Sequence, residues 1–200
     1  LLFRKASTKY PQHTHFILHL EGGAESEIRY WNPRRFGRLS LLDQAGLDQY
    51  TSRRFGPDPL VMGPMQFVRL LSSTRRRLKP LLMHQQAIAG IGNIYANEIL
   101  FRARLHPDQA ANQVAEKAAM RLYETMGDVL REAIHLGGSS VRDYFAPDGT
   151  EGQYKRRHLV YAKSGNPCPN GCGAVIQRSV GERSSFYCPR CQRIRSPQFG

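Results

Sequence analysis

The sequence predicts an α+β protein: a sheet fragment first, then a helical middle, then a small metal-braced β-hairpin. Three observations carry this. The first 42 residues are rich in strand formers, apolar residues recur at three- and four-residue steps between residues 64 and 136, and all four cysteines fall between positions 168 and 191.

Taken in order, HTHFILHLEGG and SEIRYWNPRRFGRLSLL read as strands, with Gly22-Gly23 as a hairpin turn. RRFGPDPLVMG, residues 53–63, holds two prolines and two glycines and reads as a linker. PMQFVRLL begins the helical part, with Met65, Val68 and Leu71 expected on its packed side. LKPLLMH places Pro80 near a helix start. Asn112 to Leu136 reads as the longest helix, with Val114, Ala118, Leu122, Met126, Val129 and Ala133 on one face and Gly137-Gly138 ending it. DYFAPDGTEGQYKRR, residues 143–157, reads as loop. The expected segments are 1–60, 61–158 and 159–195.

Charge narrows the function classes. The 200 residues carry 29 Lys and Arg against 16 Asp and Glu, a net +13, and the isoelectric point is near 10.1. The excess is uneven: from Gly152 onward Lys155, Arg156, Arg157, Lys163, Arg178, Arg183, Arg190, Arg193 and Arg195 face one acid, Glu182. Such a surface suits a polyanion, nucleic acid first, with a merely solvated basic face as the alternative. No apolar run approaches the roughly 18 residues of a membrane span. The opening LLFRKAST is too short an apolar stretch for a signal peptide. A cytoplasmic address is expected, where clustered thiols favour metal over disulfides.

Cys168 and Cys172 are spaced C-x3-C, Cys188 and Cys191 C-x2-C, with fifteen residues between the pairs. Two close pairs around a hairpin-length insert can set four thiolates at the corners of a tetrahedron, the closed arrangement of one structural Zn2+. A redox dithiol is the competing reading, but no βαβ pattern accompanies the C-x2-C. A ribbon this small is expected to have almost no core of its own, so metal would hold it. Its hairpin, GAVIQRSVGERSSFY, carries Arg178 and Arg183 near the tip. A rigid finger presenting arginines is suited to gripping a nucleic-acid backbone.

Two further stretches stand out. In AIAGIGNIYANEIL, Gly90 and Gly92 let the backbone approach closely, and Asn93 is expected to cap a helix starting at Ile94. Exposed amides at a helix start make a phosphate site; a plain capped corner is the bland alternative. In WNPRRFG, arginines beside Phe36 suit stacking on a base or filling the gap one leaves, against a core Phe with surface arginines.

Together, HTH with NPRRFG, LKPLLM, AGIGNIYANEILF and FYCPRCQ, in this order, resemble the formamidopyrimidine-DNA glycosylase family of bacterial base-excision repair, over about His13 to Gln192. The details of GIGNIYANE and GERSSFYCPRCQ are closer to the formamidopyrimidine branch than to endonuclease VIII. The resemblance implies a β-sandwich domain, here only its latter part, a helix-two-turn-helix domain and a zinc finger around damaged duplex DNA, acting as a monomer in the bacterial cytoplasm near the nucleoid. It implies DNA contacts at His13, Arg34, Phe36, Arg75, Lys79, Asn93 and Arg183. Arg34 and Phe36 would fill the void left by the flipped nucleotide, Asn93 would hold phosphate, and Arg183 would grip phosphate beside the lesion and serve δ-elimination. The stretch GGSSVRDYFAPDGTEGQYKRR would close over flipped 8-oxoguanine.

There are departures. The first knuckle is one residue longer than the family's usual C-x2-C, His84 stands where aspartate is common, and Ala162-Lys163 stands where Gly-Arg is usual. Family members begin with Pro-Glu, whose secondary amine attacks C1′, and a lysine some 55 residues on assists. LLFRKAST aligns inside the sandwich domain, beyond all three groups, so this chain alone is expected to be inactive. The leading expectation is therefore a segment of a glycosylase and AP lyase that removes 8-oxoguanine and formamidopyrimidines. A non-catalytic binder of damaged DNA is the alternative, and a zinc-ribbon RNA-binding protein the third reading.

Overall fold

The computed structural model describes residues 2–4, 12–23, 26–33, 35–139 and 152–194. The chain divides into two compact units, one of residues 1–43 with 135–156 and one of residues 44–134 with 157–200.

In the first unit, β1 (Leu2–Arg4), β2 (Thr14–His19) and β3 (Glu27–Trp31) form an antiparallel sheet in the order β1-β3-β2. The connection between β2 and β3 turns at Gly22, with Leu20 N–H donating to Ser26 O at 2.8 Å, which is the hairpin that the glycine pair predicted. Glu27 and Arg29 lie two apart on one face of β3, both buried, and the Arg29 guanidinium donates to Glu27 Oε2 at 2.8 Å through Nε. A buried charge needs such a partner. The strand pattern expected to continue past Trp31 does not: the described residues from 32 to 43 form no strand. Pro33 removes a ladder donor, and Arg35 takes a left-handed φ of +55°.

In the second unit, α1 (Gln44–Arg54) buries no residue, and it has no apolar period by which the sequence could announce it. Of the linker expected over residues 53–63, Arg53 and Arg54 instead end α1; residues 55–63 are irregular, yet they are held in place. Gly56 N–H donates to Gln85 O at 2.7 Å, and a Cβ at Gly56 would stand 2.6 Å from Gln86 O. Only glycine permits that approach. Helix α2 (Pro64–Ser72) buries Phe67 and Leu71 while Met65 is exposed, so its packed side is rotated from the one expected. The bulky aromatic wins the interior: Phe67 meets the Tyr123 ring at 5.8 Å between centroids, and Tyr123 Oη donates to Met62 O.

Helix α3 (Leu78–Leu82) starts two residues before Pro80. Helix α4 (Asn93–Arg102) ends in a Schellman motif, with Leu105 N–H to Leu100 O at 3.0 Å and Arg104 at φ +54°. The long helix is shorter than the sequence pattern implied. A 3-10 turn, Ala111–Gln113, precedes α5 (Glu116–His135), because Val114 is extended. Leu122, Met126, Val129 and Ala133 are buried on α5 as expected, with Ala119 taking the place assigned to Ala118. Gly137 and Gly138, both at positive φ, end it. The last element pair, β4 (Gln177–Ser179) and β5 (Ser185–Tyr187), is an antiparallel hairpin. Most of the stretch expected to cap the flipped base, residues 140–151, lies outside the described residues.

Candidate metal centre and nucleic-acid interface

The four cysteine sulfurs lie within 4.8 Å of one another. Cys168 Sγ stands 3.8 Å from Cys191 Sγ, and Cys172 Sγ 3.5 Å from Cys188 Sγ. Four thiolates at tetrahedral Zn–S lengths sit about 3.8 Å apart, so the cluster fits zinc. Backbone bends aim them: Gly171 N–H returns to Cys168 O at 3.0 Å, and Gly171 and Gly173 adopt φ of +65° and +79°. Burial pushes the Cys168 thiol up to about 12, whereas the backbone N–H of Ala174 draws Cys172 down to about 7. A divalent cation is what lets all four exist as thiolates together.

The finger has little core of its own, as expected of so small a ribbon. Cys168, Cys188, Ile176 and Val160 pack with Phe101 of α4 in one buried cluster, flanked by Leu159 and Phe186. The finger borrows its interior from the helical region.

Four polar side chains bolt the two together. Glu98, fully buried on α4, accepts backbone N–H groups of Leu159, Val160 and Tyr161 at 2.8, 3.0 and 2.9 Å. Asn97 Oδ1 accepts from Phe186 N–H at 2.7 Å while its Nδ2 donates to Asn93 O at 2.7 Å. Gln192 accepts from Cys188 N–H and donates to Leu105 O. Lys79 is only 3% exposed, and its Nζ donates to Arg183 O at 3.1 Å, Ser184 O at 2.7 Å and Ser185 Oγ at 3.0 Å. Burial lowers the Lys79 pKa to about 8. Three acceptors match the three protons of an ammonium, so Lys79 is charged at neutral pH.

Lys79 therefore supports the finger tip from beneath, and its ammonium is not a surface cation. Arg183, whose carbonyl it holds, is exposed. Arg178 braces the same tip, its guanidinium donating to Ser184 Oγ at 3.0 and 2.9 Å. Asn97, Glu98 and Gln192 were missed in the sequence because their partners lie 61 to 89 positions away. Polar residues within a helix give no sign of such reach.

The turns between α3 and α4 are organised by Gln85, whose Nε2 donates to Met83 O and Ile91 O and whose Oε1 accepts from Gly90 N–H at 2.8 Å. Gly90 adopts φ +82° there, and among the described residues nothing stands within 4 Å of a Cβ at Gly90 or Gly92, so the close approach expected of these glycines is not made within the chain. Asn93 is not the cap. Gly92 occupies that position without a side-chain bond, and Asn93 is the first helical residue. Its Oδ1 lies 3.4 Å from Asn97 Nδ2. Because Asn97 also holds Phe186, the start of α4, the Lys79 ammonium and the Arg183 backbone converge. Arg75 is exposed in the segment between α2 and α3.

The remaining candidates belong to the other unit. His13 is exposed at φ +72°, its carbonyl accepting from Asn32 N–H at 3.0 Å. Trp31 Nε1 donates to Gln12 O at 2.8 Å, tying the same turn down. Phe36 is 86% exposed, beside Gly37, where a Cβ would collide with the Tyr30 hydroxyl. It is no core residue. Arg34 lies outside the described residues.

Ala162 adopts φ +61° with its side chain exposed. An L-residue pays about 1–2 kcal/mol for that conformation, and glycine gives back part of the difference through its freer unfolded chain. Ala162→Gly is expected to stabilise the protein by about 0.5–1 kcal/mol in urea denaturation. A loss of stability would contradict the strain.

The family model described as the formamidopyrimidine-DNA glycosylase H2TH domain matches residues 55–144. The formamidopyrimidine-DNA glycosylase of Thermus thermophilus is 42% identical over 186 residues, which is 90% of this chain and 68% of that protein. That of Heliobacterium modesticaldum is 40% identical over 184 residues, 90% of this chain and 66% of that protein. The chain thus spans about two thirds of the length of these relatives. The crystal structure of MutM (Fpg) from Thermus thermophilus superposes with a TM-score of 0.85 at 40% identity, covering 98% of this chain and 73% of that one. The complex between Lactococcus lactis Fpg and DNA containing an abasic site superposes at 0.84 with 30% identity, covering 96% and 70%.

Proposed function

The chain belongs to the formamidopyrimidine-DNA glycosylase family, and on that premise we propose that it serves a base-excision repair DNA glycosylase and AP lyase removing oxidised purines, 8-oxoguanine and formamidopyrimidines, from duplex DNA. The described residues supply the grip on the duplex. The observation that carries this reading is the convergence of Lys79 and Asn97 on the backbone that presents Arg183.

Zinc, held by Cys168, Cys172, Cys188 and Cys191, supplies no chemistry to the reaction; it fixes the hairpin so that Arg183 points outward at low conformational cost. The Arg183 guanidinium then meets a phosphate flanking the lesion and serves δ-elimination, its planar fork suiting two phosphate oxygens. A second phosphate takes Asn93 and the amides at the start of α4, where the helix dipole favours an anion. Arg75 supplies a further phosphate contact. Lys79 acts through Arg183, by fixing its carbonyl. Extruding a nucleotide leaves a gap in the stack, at a cost of about a few kcal/mol that is smaller for a damaged pair. Phe36, already presented to solvent, and Arg34 fill that gap, and His13 contacts the backbone nearby. The partner is duplex DNA with a damaged base or abasic site, bound by a monomer.

The test is fluorescence anisotropy on paired duplexes, one intact and one with a central abasic site. Zinc-loaded protein is expected to prefer the abasic duplex. Phe36→Ala is expected to erase most of that preference while leaving affinity for intact duplex within about twofold, since stacking on one base is worth about 1–3 kcal/mol. Equal losses on both duplexes would remove Phe36 from the gap.

A further inference from the structure

Each sulfur of the cysteine cluster receives an N–H group. Cys168 takes the backbone N–H of Asn170, and Cys172 that of Ala174. Cys188 takes the backbone N–H of Cys191 at 3.4 Å. Cys191 takes a side chain: Asn170 Nδ2 stands 3.6 Å from its sulfur. Asn170 therefore addresses two ligands, one on its own knuckle through the backbone and one on the facing knuckle through its amide. Three residues between Cys168 and Cys172 make room for this. The loop closes on itself through Gly171 N–H to Cys168 O at 3.0 Å, and Asn170 is directed across the cluster. A return brace runs the other way, Arg190 Nη1 to Cys172 O at 2.6 Å.

We propose that Asn170 is a positioning residue of the metal centre: carried by the longer first knuckle, its side-chain amide donates to the Cys191 thiolate, joins the two knuckles and slows the loss of zinc. Four thiolates around one Zn2+ leave a net charge of −2. Hydrogen bonds to sulfur spread that charge, and an amide from the opposite knuckle also resists the opening through which a ligand departs. The inference rests on reading the four cysteines as zinc ligands.

Asn170→Ala and Asn170→Asp in the full chain, loaded with zinc, decide it. Zinc transfer to an excess of a chelating dye is expected to be roughly 10-fold faster for Asn170→Ala, and faster again for Asn170→Asp, whose carboxylate has no donor and repels the thiolate. Asp serves a turn as well as Asn, so a role confined to shaping the loop would leave Asn170→Asp like the parent, and that result would overturn the proposal. Cobalt-substituted protein gives a second readout. With the donor gone, the sulfur-to-cobalt charge-transfer band of Asn170→Ala is expected at lower energy. Arg190→Ala, which touches a carbonyl and no sulfur, should leave that band in place. A band unmoved in Asn170→Ala would reject the hydrogen bond to sulfur even if Asn170→Asp failed to take up metal. A parent chain that bound no zinc would instead overturn the metal reading itself.

Discussion

Cys188→Ser is expected to release the zinc and unfold residues 165–194 while leaving the helices of the same unit folded. Cys188 is fully buried, its sulfur 3.5 Å from that of Cys172, in the cluster shared with Phe101. Zinc binding contributes about 10–16 kcal/mol to finger peptides at neutral pH, and losing one thiolate of four removes most of it. Cys168, Ile176 and Val160 together do not offset that loss, because β4 and β5 are only three residues each. The helices have their own interior of Phe67, Leu71, Leu78, Leu82, Ile99 and Leu122. Hydrogen exchange with zinc analysis checks this. The expected outcome is fast exchange across the finger with slow amides kept in α4 and α5. Full zinc occupancy with unchanged exchange would contradict it.

Glu98→Ala is expected to destabilise the zinc-loaded protein by about 4 kcal/mol. Both oxygens of a fully buried carboxylate hold three successive N–H groups. Each buried donor left unpaired costs about 1–3 kcal/mol, with local relaxation recovering part. Glu98→Gln keeps one acceptor oxygen and the side-chain volume, so roughly half that loss is expected. Urea denaturation measures the difference, and accelerated exchange at Leu159, Val160 and Tyr161 locates it. Stability of Glu98→Ala within about 0.5 kcal/mol of the parent would show that these amides find other partners.

The strongest periodic signals are legible in the amino-acid sequence alone. Leu122, Met126, Val129 and Ala133 at helical spacing mark α5, the double glycine marks its end, and the two cysteine pairs mark the metal cluster. Where the sequence misleads, competing physics is identifiable. Helix α1 buries nothing, so no period marks it. Met65 and Phe67 are both apolar, and the one turned inward is Phe67, packed against the Tyr123 ring. Asn93 reads as a cap by residue type, yet Gly92 already has the extended backbone that position requires, φ −106° and ψ −177°. Lys79 enters the sequence analysis only as a DNA contact implied by the family resemblance, although it is buried, as Lys seldom is. Its burial depends on carbonyls at Arg183 and Ser184, more than a hundred positions away, which no local pattern encodes. The candidate site is thus visible in the sequence as a set of residue types, while the struts that aim Arg183 become visible only in three dimensions.

The central claim is that a zinc-braced, Lys79-supported tip aims Arg183 at a DNA phosphate. It is tested most directly by titrating an abasic-site duplex with zinc-loaded parent and Arg183→Ala across a series of salt concentrations. The expected result is weaker binding by Arg183→Ala on every duplex sequence, with the slope of log K against log salt reduced by about one, the signature of one lost phosphate contact. An unchanged slope and affinity would contradict it, and would leave the tip with no part in holding DNA.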